Sequence, residues 1–263
     1  MKKLTFLFLF LGVFMNAQNI EITYSVEENC DEGIMSTKMD YVLKMTAEKS
    51  VFYNLDTTHT QFKYSDFVDE IKPYGDYERA KLSDNHYKPI KKDFFYKSFI
   101  EDVIVFRKQE RGRFLIIKEN LTSLFNWNID SKETKEIMGF TCQKATAEFR
   151  GRKYEAYFTS ELGNYGGPWK FDGLPGVILA VKSVDDYFVL QAKEIKKNRV
   201  DFKIDSRNME NIETISWEEF VSMKEEYLKK MFKKLKSLSA PGETGKIQLK
   251  DQLEDLGIKT MSF

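Results

Sequence analysis

Apolar and polar side chains alternate along short runs of this chain, and compact turns separate the runs. From Asn19 to Val26, Ile20, Ile22, Tyr24 and Val26 fall on one side, with Glu21, Thr23 and Ser25 on the other. A period of two marks a strand with one buried face, and strands joined by short turns run antiparallel. The pattern continues through Met39 to Thr46, Ser50 to Leu55 and Phe94-Phe95-Tyr96. Val103 to Phe106 and Phe114 to Ile117 flank a turn containing Gly112, a hairpin by its spacing. Phe125 to Ile129 and Lys135 to Met138 predict two further short strands. Thr141 to Phe149 and Lys153 to Thr159 flank Arg150-Gly151-Arg152, where glycine supplies positive φ. Val177 to Lys182 and Tyr187 to Lys193 flank Ser183-Val184-Asp185-Asp186. The expected fold is mainly β (β-rich α+β): a curved antiparallel meander sheet or half-open barrel.

The period changes near the C-terminus. Ser216 followed by Glu219 predicts a capping box. Trp217, Phe220, Val221, Leu228, Met231, Phe232 and Leu235 then recur at helical spacing. Lysines at 229, 230, 233, 234 and 236 gather at the helix end that favours cations. This amphipathic helix is expected to pack its apolar stripe on the sheet. Ala240-Pro241-Gly242 opens a linker, followed by a short helical segment around Leu249 to Leu256. Between Thr57 and Lys92 the chain is polar, with Pro73, Gly75 and Pro89, and reads as a long excursion with little regular structure.

Lys2 and Lys3, an apolar run from Leu4 to Met15 and a small residue at Ala17 match a secretory signal cleaved near Ala17. The run is shorter than the roughly 20 residues that a membrane-spanning helix needs. The expected organisation is a signal peptide at 1–17, one β-rich domain at 18–238 and a linker with a short tail at 239–263. The mature chain is expected to be soluble and exported, periplasmic or extracellular, without a transmembrane segment. The whole chain has 41 basic and 41 acidic residues; removing Lys2 and Lys3 leaves 39 against 41. Nucleic-acid binding, which calls for a basic excess, is disfavoured. Cys30 and Cys142 would meet in an oxidising compartment, where an even count favours a bridge. The sequence leaves open whether they form one disulfide or two separate buried thiols.

The densest local pattern is Asn164-Tyr165-Gly166-Gly167-Pro168-Trp169-Lys170-Phe171-Asp172-Gly173-Leu174-Pro175-Gly176-Val177. Leu174-Pro175-Gly176-Val177 predicts a type II turn, with Gly176 at positive φ. Gly166-Gly167-Pro168 predicts a second bend, leaving Trp169 and Phe171 to fill the space between the turns. Neither phosphate-loop spacing nor a following helix is present. The stretch resembles the signature of the GLPGLI family, with Val177 where the name has its second leucine. The signature residues are Gly167, Pro168, Trp169, Phe171, Gly173, Leu174, Pro175 and Gly176, read as structural. Upstream, Trp127, the run Glu133 to Ala145 and the strand Tyr154 to Thr159 are similar to the family's hairpin, with Tyr157 where many members carry tryptophan. The resemblance is best over roughly 120–195. It implies an exported protein of Gram-negative bacteria and carries no established activity. The hairpin around Gly139-Phe140-Thr141-Cys142 is more loosely similar to periplasmic lipoprotein-carrier folds, a fold-level analogy alone.

Two functional classes remain on these residues. Export, a curved sheet and an aromatic share of 14% favour a noncatalytic binding, carrier or accessory protein of the cell envelope, taking an apolar ligand or an envelope protein partner. The alternative is an envelope hydrolase using the carboxylates near the signature: Glu161, Asp172, Asp185 and Asp186. His59 and His86 suggest no nucleophile–base pairing or zinc site, so no catalytic residue, metal or cofactor is assigned.

Overall fold

The computed structural model describes residues 19–30, 35–54, 94–110, 113–197, 213–239, 244–247, 253–258 and 261–262. The expectations for the leader at 1–17, the Thr57–Lys92 excursion with its two histidines, the Gly112 turn and Pro241-Gly242 fall outside those residues. Within them the alternating segments pair as the sequence predicts. The strands are β1 (Ile20–Cys30), β2 (Met35–Met45), β3 (Lys49–Asn54), β4 (Phe94–Ser98), β5 (Val103–Glu110) and β6 (Arg113–Asn120). They continue with β7 (Asn128–Ile137), β8 (Phe140–Phe149), β9 (Arg152–Thr159), β10 (Val177–Ser183) and β11 (Phe188–Lys197). All eleven form one antiparallel sheet in the order β6-β5-β4-β3-β2-β1-β11-β10-β9-β8-β7. Two meanders thus meet at the β1–β11 pair, and β6 and β7 are the two edges.

That order dictates curvature. A flat sheet of this width would hold β6 and β7 about 48 Å apart, at ~4.8 Å per strand spacing. Yet the chain passes from Asn120 at the end of β6 to Asn128 at the start of β7. A connection of that length reaches at most about 29 Å when fully extended. The sheet must therefore curl until its edges approach, giving a half-open barrel with an aromatic interior. Irregularities assist the bend: the register shifts in β1 between Thr23 and Tyr24, and in β10 between Ile178 and Ala180. The Tyr24 hydroxyl, buried inside the curl, donates to the Ile178 carbonyl at that second irregularity (2.7 Å).

Two local expectations change here. The two short strands predicted around 125–138 are one strand, β7, whose register shifts between Asp130 and Thr134. The polar run Ser131-Lys132-Glu133 hides this continuity, because β7 is an edge strand exposed along nearly all its length. The segment read as helical around 249–256 contains no helix among its described residues. Instead β12 (Lys246–Ile247) pairs with β13 (Met261–Ser262), and residues 253–258 run in irregular backbone between them.

The helix α1 (Trp217–Leu238) begins with the capping box: Glu219 N–H donates to the Ser216 hydroxyl, and Ser216 N–H to the Glu219 carboxylate. Its anchor is Ile215, which bridges to Ile117 along the outer edge of β6. Only Trp217, Phe220 and Leu228 of the stripe are buried, and Leu235 is exposed. The helix therefore packs on the sheet through its first turns, and its lysine-rich end stands in solvent. Among the described residues no helix is long and apolar enough to cross a membrane.

Candidate functional site

The loop between β9 and β10 folds into the curl rather than out of it. Gly166 joins the ladder beside Val177: its N–H donates to the Gly176 carbonyl (3.1 Å), and Ile178 N–H donates back to the Gly166 carbonyl (3.0 Å). Phe171 N–H closes a turn onto the Pro168 carbonyl (3.1 Å), with Trp169 held at φ 52°. That turn drives Trp169 and Phe171 inward, where both are buried. Trp169 meets Phe95, Phe149 and Phe188, and Phe171 meets Phe125, Tyr154 and Trp127.

The Leu174-Pro175-Gly176-Val177 turn differs from the type II expectation. Gly176 N–H donates to the Leu174 carbonyl (2.8 Å), so the bend is a three-residue γ-turn centred on Pro175. Gly176 is not among the positive-φ glycines; Gly173 is, at 86°. Glycine is required at 176 for another reason, since a Cβ there would collide with the Thr159 carbonyl.

A buried lysine pins this loop. Lys97, on β4 and across the interior, donates to the carbonyls of Gly167 (2.9 Å) and Phe171 (2.6 Å) and to Asp172 Oδ2 (2.9 Å). The Trp127 indole N–H adds a bond to the Asp172 carbonyl (2.6 Å). Burial lowers the Lys97 pKa, opposed by the Asp172 carboxylate. Three acceptors match the three donors of an ammonium.

A second charged group lies beside the loop. Lys170, fully buried between Trp169 and Phe171 in sequence, turns toward Phe106 (3.8 Å to the ring centre) and Trp217 (4.4 Å). Its ammonium contacts Glu254 Oε1 (2.6 Å) and Glu119 Oε2 (3.3 Å). Arg150, from the β8–β9 turn, bridges Glu119 and Glu254 and lies over the Trp217 ring at 3.4 Å. Lys108 of β5 reaches Glu254 Oε2 (2.9 Å). Three cations thus surround two carboxylates. One carboxylate belongs to β6; the other, Glu254, is only 2% exposed and arrives on the C-terminal segment. Burial pushes Lys170 down to about 8 although Glu254 pulls it upward. Burial would raise Glu254, but Lys170, Lys108 and Arg150 outweigh it and hold the carboxyl at about 2.

The four sequence-selected carboxylates do not converge. Glu161 accepts from Thr141 N–H (3.0 Å), and Asp172 pairs with Lys97. Asp185 pairs with Arg152, and Asp186 with Lys182 (2.5 Å), at the β10–β11 hairpin. Each therefore has its own local partner. Cys142 is a buried free thiol whose pKa burial pushes up to about 11, with Glu161 adding to the rise. Cys142 carries no bridge, and the side chain of Cys30, its partner in the bridge considered from sequence, falls outside the described residues. Among the described residues no group of three or more His, Cys, Asp or Glu side chains is placed to hold a metal.

Sequence reasoning missed Lys97, Lys108, Glu119, Arg150, Lys170 and Glu254 as a group. The available signal was a lysine inside an aromatic run, seen both in Phe94-Phe95-Tyr96-Lys97 and in Trp169-Lys170-Phe171. Their partners come from distant segments and share no spacing.

No family model matches the chain, and no curated protein matches it. Two solved structures of PNGF-II are similar to it. The C2 crystal form gives a TM-score of 0.47 at 16% identity, and the P21 form 0.49 at 17%. Each similarity covers 76% of this chain, but 30% and 32% of the PNGF-II chains. The chain thus spans about a third of their length, and likeness of this degree implies no shared chemistry.

Proposed function

We propose that this chain is an exported, GLPGLI-like protein of the cell envelope that works by binding, as a carrier or accessory protein, rather than by catalysis. The observation that carries this reading is an aromatic interior that ends in buried cations at the seam of an incomplete barrel. Concave, mostly apolar sites with a few converging polar groups are the usual form of a ligand site. The separate engagement of Glu161, Asp172, Asp185 and Asp186 supports the same reading, since an acid–base pair needs its carboxylates in one place. The natural ligand is then apolar over most of its surface, or is an apolar segment of an envelope protein.

Native mass spectrometry of protein purified from the envelope of its own host, followed by organic extraction, tests this. A ligand at defined stoichiometry is the expected result, and a stoichiometric protein partner would place the chain among accessory proteins. Turnover of an envelope substrate that Asp172→Asn abolishes without loss of fold would overturn the noncatalytic reading.

A further inference from the structure

We propose that residues 253–258 are an exchangeable strap occupying a carboxylate-binding site, and that the ligand of this site is a carboxylate on an apolar stem. The inference rests on the binding reading above and names the chemistry it would recognise. The cations belong to the body of the fold: Lys108 to β5, Arg150 to the β8–β9 turn and Lys170 to the inward loop. The carboxylate that engages all three belongs to a segment outside the large sheet. Among the described contacts, the strap's backbone is held to the body by Asp255 N–H to the Arg150 carbonyl (2.9 Å) and the Tyr154 hydroxyl to the Leu253 carbonyl (3.5 Å). Irregular backbone outside the strand ladders opens more readily than the strands beneath it.

Without Glu254, three cations face the single carboxylate of Glu119 in an aromatic surround of Phe106, Phe149 and Trp217. An anion is favoured in the vacated place, because a buried charge left without a partner is costly. The present occupant describes the replacement. Glu254 is delivered between Leu253 and Leu256, both packed against the core, so the site accepts a carboxylate flanked by hydrocarbon. The tether gives the strap a high effective concentration, on the order of millimolar or more for a short linker. A free ligand must outcompete it, and its apparent affinity is reduced by the fraction of time the strap is closed.

The test uses the full chain, with octanoate as probe and octanol as the uncharged control. Titration calorimetry is expected to show octanoate binding Glu254→Ala at least about tenfold more tightly than the unchanged chain. Hydrogen exchange is expected to show octanoate, not octanol, speeding exchange across 253–258 of the unchanged chain. If Glu254→Ala does not fold, Glu254→Gln, which keeps an acceptor and removes the charge, replaces it. Octanoate binding to the variant without loosening of the strap in the unchanged chain would overturn the exchange. Absence of binding to either chain would overturn the site itself. Neither result touches the native mass measurement, which makes no use of Glu254.

Discussion

Lys97 shows how one side chain fixes a loop that no local rule explains. Its ammonium fills the space between two carbonyls and a carboxylate, and the chain that supplies them is about seventy positions away. Removing one member of such a buried set leaves uncompensated polar groups, at a cost of roughly 3–5 kcal/mol. Lys97→Met keeps the volume and removes the charge. Urea unfolding of this variant is expected to show an unfolding free energy lower by that amount, seen as a lower midpoint with an unchanged slope; a loss below about 1 kcal/mol would remove the pinning role. The signature glycines were only partly legible at this scale. Sequence identifies the Leu174–Val177 bend from Pro175 and Gly176, but assigns Gly176 the wrong reason. Positive φ can be anticipated from local turn chemistry, whereas the approach of the Thr159 carbonyl depends on β9 packing beside β10.

Elements were more legible than residues. Strand alternation, the hairpins and the helix cap all follow from side chains within a few positions of one another, and each forms as expected. The exceptions have tertiary causes. β7 reads as two pieces because its middle is polar, and pairing with β8 carries it across the irregularity. The apolar stripe of α1 continues to Leu235, but burial stops near Leu228. The helix is about 33 Å long at 1.5 Å per residue, and the core it rests on ends before it does. Thermal unfolding is expected to separate these parts. Ser216→Ala, which breaks the capping box, should cost about 1 kcal/mol, while Leu238→Lys at the exposed end should change stability by less than about 0.5 kcal/mol. Equal effects would mean that the far half of the helix is held by something more than its own backbone.

At the scale of the whole molecule, charge closes what hydrogen bonding leaves open. The sheet does not pair β6 with β7; the Arg150–Glu119 pair ties the β8–β9 turn to β6, and Glu254 joins both to Lys170 and Lys108. Glu254 has a folded pKa near 2, below its ordinary 4.5, so the unfolded chain takes up its proton first as the pH falls. Its contribution is complete above about pH 4.5 and is lost as the pH drops toward 2. The groups facing it are Lys108, Arg150 and Lys170, with Glu119 beside them. Melting temperature followed from pH 7 to pH 2 should therefore fall more steeply below 4.5 in the unchanged chain than in Glu254→Gln; parallel curves would sink the claim. By itself, the sequence determined the strands, their hairpins, the capped helix and an antiparallel β class, because period, turn residues and caps act over a few positions. The curl, too, was expected from the sequence; only the tertiary structure decided the inward course of the signature loop and the ion cluster. Those depend on which distant segments meet once the edges of the sheet are drawn together, and on the cost of leaving a charge unpaired there.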